Sequence, residues 1–87
     1  MTHEINMIYF AWVKERLGRD EETVICPQNA KTVGQLVEHL RDSEASYQAA
    51  FCDMNKLRFA LDHDFVGPDK LLAGAKELAI FPPVTGG

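Results

Sequence analysis

The sequence lacks any concentration of basic residues. Its nine Lys and Arg are scattered among thirteen Asp and Glu, and the formal net charge is −4. Binding to nucleic acid depends on clustered cations that displace counterions from phosphates. The composition therefore argues against a nucleic-acid-binding protein, whereas the acidic balance is compatible with docking onto a more basic protein.

Cysteine is scarce as well. The chain has two, Cys26 and Cys52, and they form neither a CxxC motif nor a Cys/His cluster with metal-ligand spacing. This pattern predicts two reduced thiols in a cytosolic protein rather than a disulfide framework or a thiolate metal site. Because no basic residue flanks either thiol, we expect both cysteines to be dispensable for sulfur chemistry.

Long hydrophobic runs are also missing. The apolar run from Ile5 to Val13 is interrupted by Asn6, and it is shorter than the roughly 20 residues that a membrane-spanning helix needs. Neither a basic segment nor a small-residue cleavage site accompanies it, so it does not resemble a signal peptide. We therefore expect a cytoplasmic protein that does not associate with membranes.

The composition that remains is that of one small globular domain. The chain has 87 residues, of which 46% are hydrophobic and 25% are charged. A domain of this size buries roughly 60–70% of the surface that its unfolded chain exposes. This is enough for one hydrophobic core, but it leaves no room for a deep enclosed active site.

The first half of the chain predicts two strands and a helix. Residues 5–13 and 22–26 predict the strands, separated by a turn or short helix at residues 14–17. Gly18 is suited to end that turn, and Pro27 to end the second strand.

An amphipathic helix comes next. Thr32 and Gln35 have the spacing of a capping box. The apolar residues of one helical face continue from there, up to an expected end near Arg41: Val33, Leu36, Val37 and Leu40. A second, weaker helix is predicted within residues 43–51.

The second half predicts further strands at residues 57–61, 65–66 and 78–81, with a turn at Asp62-His63-Asp64. A hairpin, a helix and returning strands make an α+β layout. The simplest arrangement places the first and last strands side by side and parallel. The sequence therefore predicts a β-grasp (ubiquitin-like) fold, with a mixed sheet and one main helix packed across it.

We divide the chain into a β-grasp domain, residues 1–81, and an extended C-terminal tail, residues 82–87. The tail has the sequence Pro82, Pro83, Val84, Thr85, Gly86, Gly87. A proline pair lacks backbone N–H groups and prefers an extended conformation, so it projects the last four residues away from the sheet. Terminal glycines allow the close approach that a narrow slot in another protein requires.

The terminal carboxylate of Gly87 is the candidate reactive group. It is ionised at neutral pH and can attack the α-phosphate of ATP to give an acyl-adenylate. A sulfur nucleophile can open this mixed anhydride and leave a thiocarboxylate, and glycine has no stereocentre to racemise. From chemistry alone, an activated C-terminus and an inert glycine-rich chain end both stay open.

The segment Phe81–Gly87, FPPVTGG, resembles the terminal signature of the MoaD-like family, the small sulfur-carrying subunits of molybdopterin synthase. Residues 9–11 resemble the first strand of that family, and residues 77–79 its entry to the last strand. The chain departs from the family at residues 73–76, where an acidic glycine-containing turn is common. A second departure is Asp62, which stands where Asn is usual.

The resemblance implies a non-catalytic carrier that binds no cofactor or metal of its own. A ubiquitin-activating-like adenylyltransferase would adenylate Gly87 with ATP and Mg²⁺, and a persulfide-bearing enzyme would supply the sulfur. The tail would then enter the large catalytic subunit of a heterotetrameric synthase and donate sulfur to cyclic pyranopterin monophosphate. Two such transfers would form the dithiolene. The partner-binding residues implied are Phe81, Pro82, Pro83, Val84, Thr85 and Gly86.

The docking surface is expected to include Phe81 and the second apolar face of the first strand. Because one helix covers only one face of a sheet, Phe10 and Trp12 should remain apolar and exposed on the other. The turn Asp62-His63-Asp64 is expected to be solvated, His39 to lie on the surface and His3 to lie in a frayed terminus.

Other functions remain open at this point. The same carrier chemistry could serve thiazole synthesis for thiamine, or the delivery of sulfur to an amino acid such as cysteine. A ubiquitin-like modifier would instead join Gly87 to lysines of other proteins. A plain interaction domain with an inert tail is the last alternative.

Overall fold

The computed structural model describes residues 3–83 and shows one mixed sheet with helices packed against one of its faces. The elements in chain order are β1 (His3–Tyr9), α1 (Ala11–Leu17), β2 (Glu21–Cys26), α2 (Val33–Ser43), α3 (Ala45–Ala50), a 3-10 helix (Met54–Lys56), β3 (Arg58–Leu61), β4 (Asp64–Val66) and β5 (Glu77–Phe81).

The sheet has five strands in the order β2-β1-β5-β3-β4. The central strands β1 and β5 are parallel, and the other neighbours are antiparallel. This topology confirms the predicted β-grasp. Since Tyr9 lies opposite Ile80, the end of β5 lies beside the point where the chain leaves β1, and this places the start of the tail next to α1.

The first strand is shorter than its apolar pattern predicts. β1 ends at Tyr9, and the backbone N–H of Phe10 makes the last bond across to the carbonyl of Ile80, at 3.2 Å. Ala11 has a positive φ of 54° and turns the chain into α1. The prediction of a strand as far as Val13 is therefore wrong, because residues 11–17 bury Val13 and Leu17 one helical turn apart.

The N-terminus also differs from its prediction. His3 is the first residue of β1, and its Nε2 lies 2.7 Å from the carbonyl oxygen of Ala75. The ring is therefore tied to the loop before β5, and the expectation that His3 is frayed is wrong.

The predicted helix signals are confirmed. Thr32 and Gln35 form the capping box at the start of α2, with the Gln35 N–H donating to the Thr32 hydroxyl at 3.2 Å. Gly18 ends α1 with φ at 73°, in the left-handed region that favours glycine. The weaker helix predicted within residues 43–51 is α3.

The core lies between one face of the sheet and the helices. Its fully buried large side chains come from the inward-facing positions of the strands, from the apolar faces of α1 and α2, and from the segment between α3 and β3: Ile5, Met7, Tyr9, Val13, Val33, Leu36, Val37, Phe51, Leu57, Leu78 and Ile80. The period-two and period-3.6 patterns of the sequence thus converge on one core.

Candidate functional site at the exit of the C-terminal tail

The predicted site residues fall partly within the described structure. Phe81 ends β5, and Pro82 and Pro83 follow it in non-strand conformation. The remaining predicted residues, 84–87, lie outside the described residues. The structure therefore defines the point from which the tail departs, which we call the tail exit: Phe81, Pro82 and Pro83. All three are half-buried.

An apolar surface lies on the side of the sheet that no helix covers. Along β5, Leu78 and Ile80 point into the core, so Phe81 points the other way. Its ring lies 5.8 Å from that of Phe65 on β4, centre to centre and edge to face. We call this surface the outer face. Its strand members are Ile8, Ala60, Phe65, Ala79 and Phe81, and we include Phe10, which follows β1, bonds to the carbonyl of Ile80 and continues the alternation of that strand.

The outer face exposes large aromatic side chains. Phe65 is 84% exposed and Phe10 is 50% exposed. The prediction of an exposed apolar residue on this side holds for Phe10; Phe81 lies on the same side but is half-buried. The prediction fails for Trp12, which lies on α1 and packs partly against the core, because β1 ends before reaching it. Sequence reasoning missed Phe65, although a lone aromatic residue in a short strand run was a signal for it.

A groove of about 500 Å³ lies on the opposite side of the tail exit. We call it the tail groove. It is lined by residues of α1, by the segment from α3 to the 3-10 helix, and by the two prolines: Trp12, Arg16, Ala50, Cys52, Asp53, Lys56, Pro82 and Pro83.

The groove has a charged rim. The Arg16 guanidinium stacks 4.7 Å from the centre of the Trp12 ring, and its Nη1 lies 3.4 Å from the carbonyl oxygen of Ala49. Lys56 is exposed at the end of the 3-10 helix. The carboxylate of Asp53 accepts a hydrogen bond from the N–H of Asn55 at 3.0 Å.

Sequence reasoning missed this groove, because the apolar pattern predicts a strand at residues 11–13. Trp12 and Arg16 are one helical turn apart, which brings them together only if residues 11–17 form a helix. The spacing of Val13 and Leu17 was the signal that could have revealed that helix.

A hydrogen-bonded cluster holds α3 against the sheet. Glu22 on β2 accepts from the hydroxyls of Tyr9 and Tyr47 at 2.6 Å and 2.5 Å. Its second oxygen pairs with Nη1 of Arg19 at 2.8 Å. Tyr47 belongs to α3, Tyr9 to β1 and Glu22 to β2. The Glu22 carboxylate therefore links α3, which leads into the segment lining the tail groove, to the first two strands.

The environment shifts the pKa values of this cluster. Burial alone would raise the pKa of Glu22, but the hydrogen bonds from Tyr47, Tyr9 and Arg19 outweigh it and hold the pKa below its usual value. Burial and the hydrogen bond to Glu22 raise the pKa of Tyr47 to about 12. The same causes raise the pKa of Tyr9. The carboxylate and both phenols are thus held in the protonation states that the cluster requires.

The two departures from the family pattern meet in the structure. The Asp62 carboxylate accepts hydrogen bonds from the backbone N–H groups of Lys76 and Glu77, each at 3.0 Å. Asp62 therefore fastens the atypical turn at residues 73–76 to the end of β3. Asp62 and His63 are exposed and have positive φ. Within residues 3–83, no group of His, Cys, Asp and Glu side chains is arranged to hold a metal ion.

The two thiols lie in different environments. Cys26 is buried, its Sγ lies 3.7 Å from the carbonyl oxygens of Pro27 and Ala30, and burial raises its pKa. Cys52 is exposed in the tail groove.

His39 is exposed on α2, as predicted. In the described part of the chain, no helix is long and apolar enough to cross a membrane.

Comparison with known families agrees with this geometry. The model of the ThiS family matches residues 7–87, which include every strand except the start of β1. The chain belongs to the ThiS family.

Two relatives of the chain carry the same name. The molybdopterin synthase sulfur carrier subunit of Escherichia coli K12 is 35% identical over 83 residues, which cover 95% of this chain and 99% of that protein. The protein of that name from Mycosarcoma maydis is 27% identical, over 99% of this chain and 96% of its own length.

The fold also has a solved counterpart. The crystal structure of small archaeal modifier protein 1 from Haloferax volcanii superposes with a TM-score of 0.72, covering 94% of this chain and 99% of that one. At 22% sequence identity, this likeness bears on the fold alone. It supports the assignment of the ThiS-family chain to the ubiquitin-like β-grasp.

Proposed function

We propose that this chain is the sulfur-carrier subunit of molybdopterin synthase. The observation that carries the proposal is the Pro-Pro-Val-Thr-Gly-Gly sequence placed directly after the last strand of a β-grasp. The relatives that are 27% and 35% identical over nearly the full length bear the same functional name. The first fact concerns the tail and the second concerns nearly the whole chain, so together they support the role of the domain and of its tail.

In the proposed cycle, the Gly87 carboxylate attacks the α-phosphorus of ATP, with Mg²⁺ present, and pyrophosphate leaves. An adenylyltransferase of the ubiquitin-activating type holds the reactants. A persulfide on a second enzyme then attacks the acyl-adenylate and AMP leaves, and cleavage of the S–S bond by a thiol gives the thiocarboxylate. The chain supplies the acyl group and binds neither ATP nor a metal by itself.

The thiocarboxylate is then delivered by the tail to the large catalytic subunit, within a heterotetramer. There the sulfur passes to cyclic pyranopterin monophosphate, and hydrolysis returns the Gly87 carboxylate. Two transfers complete the dithiolene that binds molybdenum. In this scheme the catalytic side chains belong to the large subunit, and the residues from Phe81 to Gly86 position the tail in its pocket.

The outer face is the proposed docking surface for the large subunit. Phe65 and Phe81 contact each other on this face, and the exposed Phe10 follows β1 and bonds through its backbone N–H to Ile80 near the end of β5. Exposed apolar patches of this kind mark interfaces, and aromatic anchors supply much of the binding energy. A tail that enters the large subunit would bring this face against it.

The test is a sulfur-transfer assay with thiocarboxylated chain, the large subunit and cyclic pyranopterin monophosphate. The proposal predicts a dithiolene product at two carriers consumed per pterin. A thiocarboxylated chain that gives no product here, but supplies sulfur to a thiazole or to an amino-acid acceptor, would move the chain to another sulfur pathway. Recovery of Gly87 in isopeptide bonds to lysines of many proteins would instead indicate a conjugating modifier.

A further inference from the structure

The tail exit has two unlike sides, and only one of them is explained by the proposed docking of the large subunit. The outer face is apolar, whereas the tail groove combines Trp12 with the cations Arg16 and Lys56. We propose that the tail groove is a second docking surface, contacted by an acidic segment of the adenylyltransferase that activates Gly87. This inference rests on the proposed function, because it presupposes that Gly87 is adenylated.

Chain length brings such an enzyme close to the groove. Four residues follow Pro83, and even fully extended they span only about 14 Å. Pro83 itself lines the groove. If an enzyme holds the Gly87 carboxylate at its reaction centre, the enzyme surface around the bound tail must therefore lie close to the tail groove. Arg16 and Lys56 of the groove would then face that surface.

The charges of the groove residues indicate that the contacting segment of the enzyme is acidic. The chain as a whole has a net charge of −4, yet the groove presents two cations against one carboxylate. That carboxylate, of Asp53, already accepts a backbone hydrogen bond. Within residues 3–83, neither Arg16 nor Lys56 forms a salt bridge. The groove is thus a basic spot on an acidic protein, complementary to an acidic segment.

The Arg16–Trp12 pair suits recognition. Stacking on the indole and a bond to the Ala49 carbonyl hold the guanidinium in place before any partner arrives. A pre-positioned Arg fork binds a carboxylate with little further loss of side-chain freedom. Trp and Arg are also residues over-represented among binding hot spots.

The tail groove is charged and the outer face is apolar, and this difference indicates which partner binds to each surface. Charged contacts at a rim mainly speed encounter and weaken with salt, which suits an enzyme that binds and releases its substrate in every cycle. Lasting subunit interfaces are more apolar. We therefore assign the groove to the transient partner, the adenylyltransferase, and not to the large subunit.

The test measures adenylation of the full-length double variant Arg16→Glu/Lys56→Glu by the adenylyltransferase, with pyrophosphate release followed against carrier concentration. The expected result at low salt is a KM raised about tenfold with kcat unchanged, because two attractive contacts become repulsive. The difference from wild type should shrink as salt is added. The affinity of the variant for the large subunit should stay within about twofold of wild type.

The matched control is Lys31→Glu/Lys70→Glu, which makes the same change in net charge at exposed lysines outside the groove. A control that raises the KM equally would overturn the proposal, since net charge alone would then explain the effect. Thermal unfolding of both variants checks that they are folded. The milder Arg16→Gln/Lys56→Gln variant gives an intermediate KM if the contact is ionic.

The remaining outcomes also decide the matter. A lowered KM would mean that the chain's own C-terminal carboxylate occupies the groove, and weakened binding to the large subunit alone would assign the groove to that partner. Either result overturns the proposal. Failure of the proposed function looks different. A wild-type chain that is adenylated but gives no dithiolene would overturn the proposed function alone, whereas a wild-type chain that an active enzyme does not adenylate at all would overturn both proposals.

Discussion

The outer face and the tail groove flank the same three residues but are built in different ways. Apart from Phe10, the outer face consists of outward-facing residues on adjacent strands, so the backbone ladder of the sheet fixes it. The groove is assembled from α1, the segment after α3 and the two prolines, and side-chain contacts hold it. One side of the tail exit is therefore a property of the sheet, while the other depends on helix packing.

The two surfaces also differ in the kind of binding that each one suits. The aromatic rings of the outer face offer apolar area with little charge, which suits a lasting complex. The groove offers a stacked guanidinium and an exposed ammonium, which suit a short-lived, salt-sensitive encounter. Under the two proposals, the chain would use opposite sides of its tail exit for two partners in turn.

The largest expected effect concerns the outer face. Phe81→Asp should raise the Kd for the large subunit by about 100-fold or more, because it places a charge within an aromatic patch. Isothermal titration calorimetry measures this. Ile25→Asp is the matched control, since Ile25 is also exposed but lies on the edge strand β2, and its Kd should stay near that of wild type. An unchanged Kd for Phe81→Asp would remove the outer face from the docking surface.

Glu22 should stabilise the tail-groove side of the tail exit more than it stabilises the outer face. Glu22→Gln weakens the acceptor for Tyr9, Tyr47 and Arg19, and we expect it to lower the free energy of unfolding by about 1–3 kcal/mol. Hydrogen exchange should quicken in α3 more than in β3 and β5. The same increase in both regions would show that the two sides are not held independently.

Acid and alkali should act on the same cluster. The pKa of Glu22 is depressed in the folded chain, so its stabilising contribution is present above the ordinary Glu value of about 4.3 and is lost as pH falls through the lowered value. The pKa of Tyr47 is raised to about 12, so its contribution is present below about pH 10 and is lost as pH rises toward 12. The thermal unfolding temperature, measured as a function of pH, should fall at both the acid and the alkaline end. In Glu22→Gln, the fall at the acid end should be smaller.

The smallest expected effect concerns the thiols. Cys52 is exposed in the groove and Cys26 is buried, so iodoacetamide should modify Cys52 much faster, as mass spectrometry can follow. Cys52→Ser should still form the thiocarboxylate at the wild-type rate. Loss of thiocarboxylate in a purified system would contradict this and would make Cys52 part of the sulfur path.

The sequence was sufficient for the parts of the fold that local patterns determine. The capping box at Thr32, the glycine that ends α1 and the alternation along β5 each act through near neighbours, and the structure confirms them. Phe10 and Phe81 could be assigned to an apolar face away from the helices because period-two alternation decides which side a strand residue takes.

The groove and the Glu22 cluster could not be predicted in this way. Both depend on contacts between segments distant in sequence, such as Tyr47 with Glu22, which no periodicity encodes. Residues 5–13 form an apolar run that suits a strand or a buried helix equally, and the chain changes from strand to helix at Ala11. The division at residue 82 and the roles of residues 84–87 stay predictions, as does the cytoplasmic location.

The central claim is that Gly87 carries sulfur, and intact-mass measurement tests it most directly. The chain is incubated with the adenylyltransferase, ATP, Mg²⁺ and a persulfide donor, beside a variant that lacks Gly87. The account predicts a mass gain equal to the replacement of one oxygen by sulfur in the full chain and none in the variant. An unchanged mass in the full chain, with an enzyme shown to be active on another carrier, would contradict it.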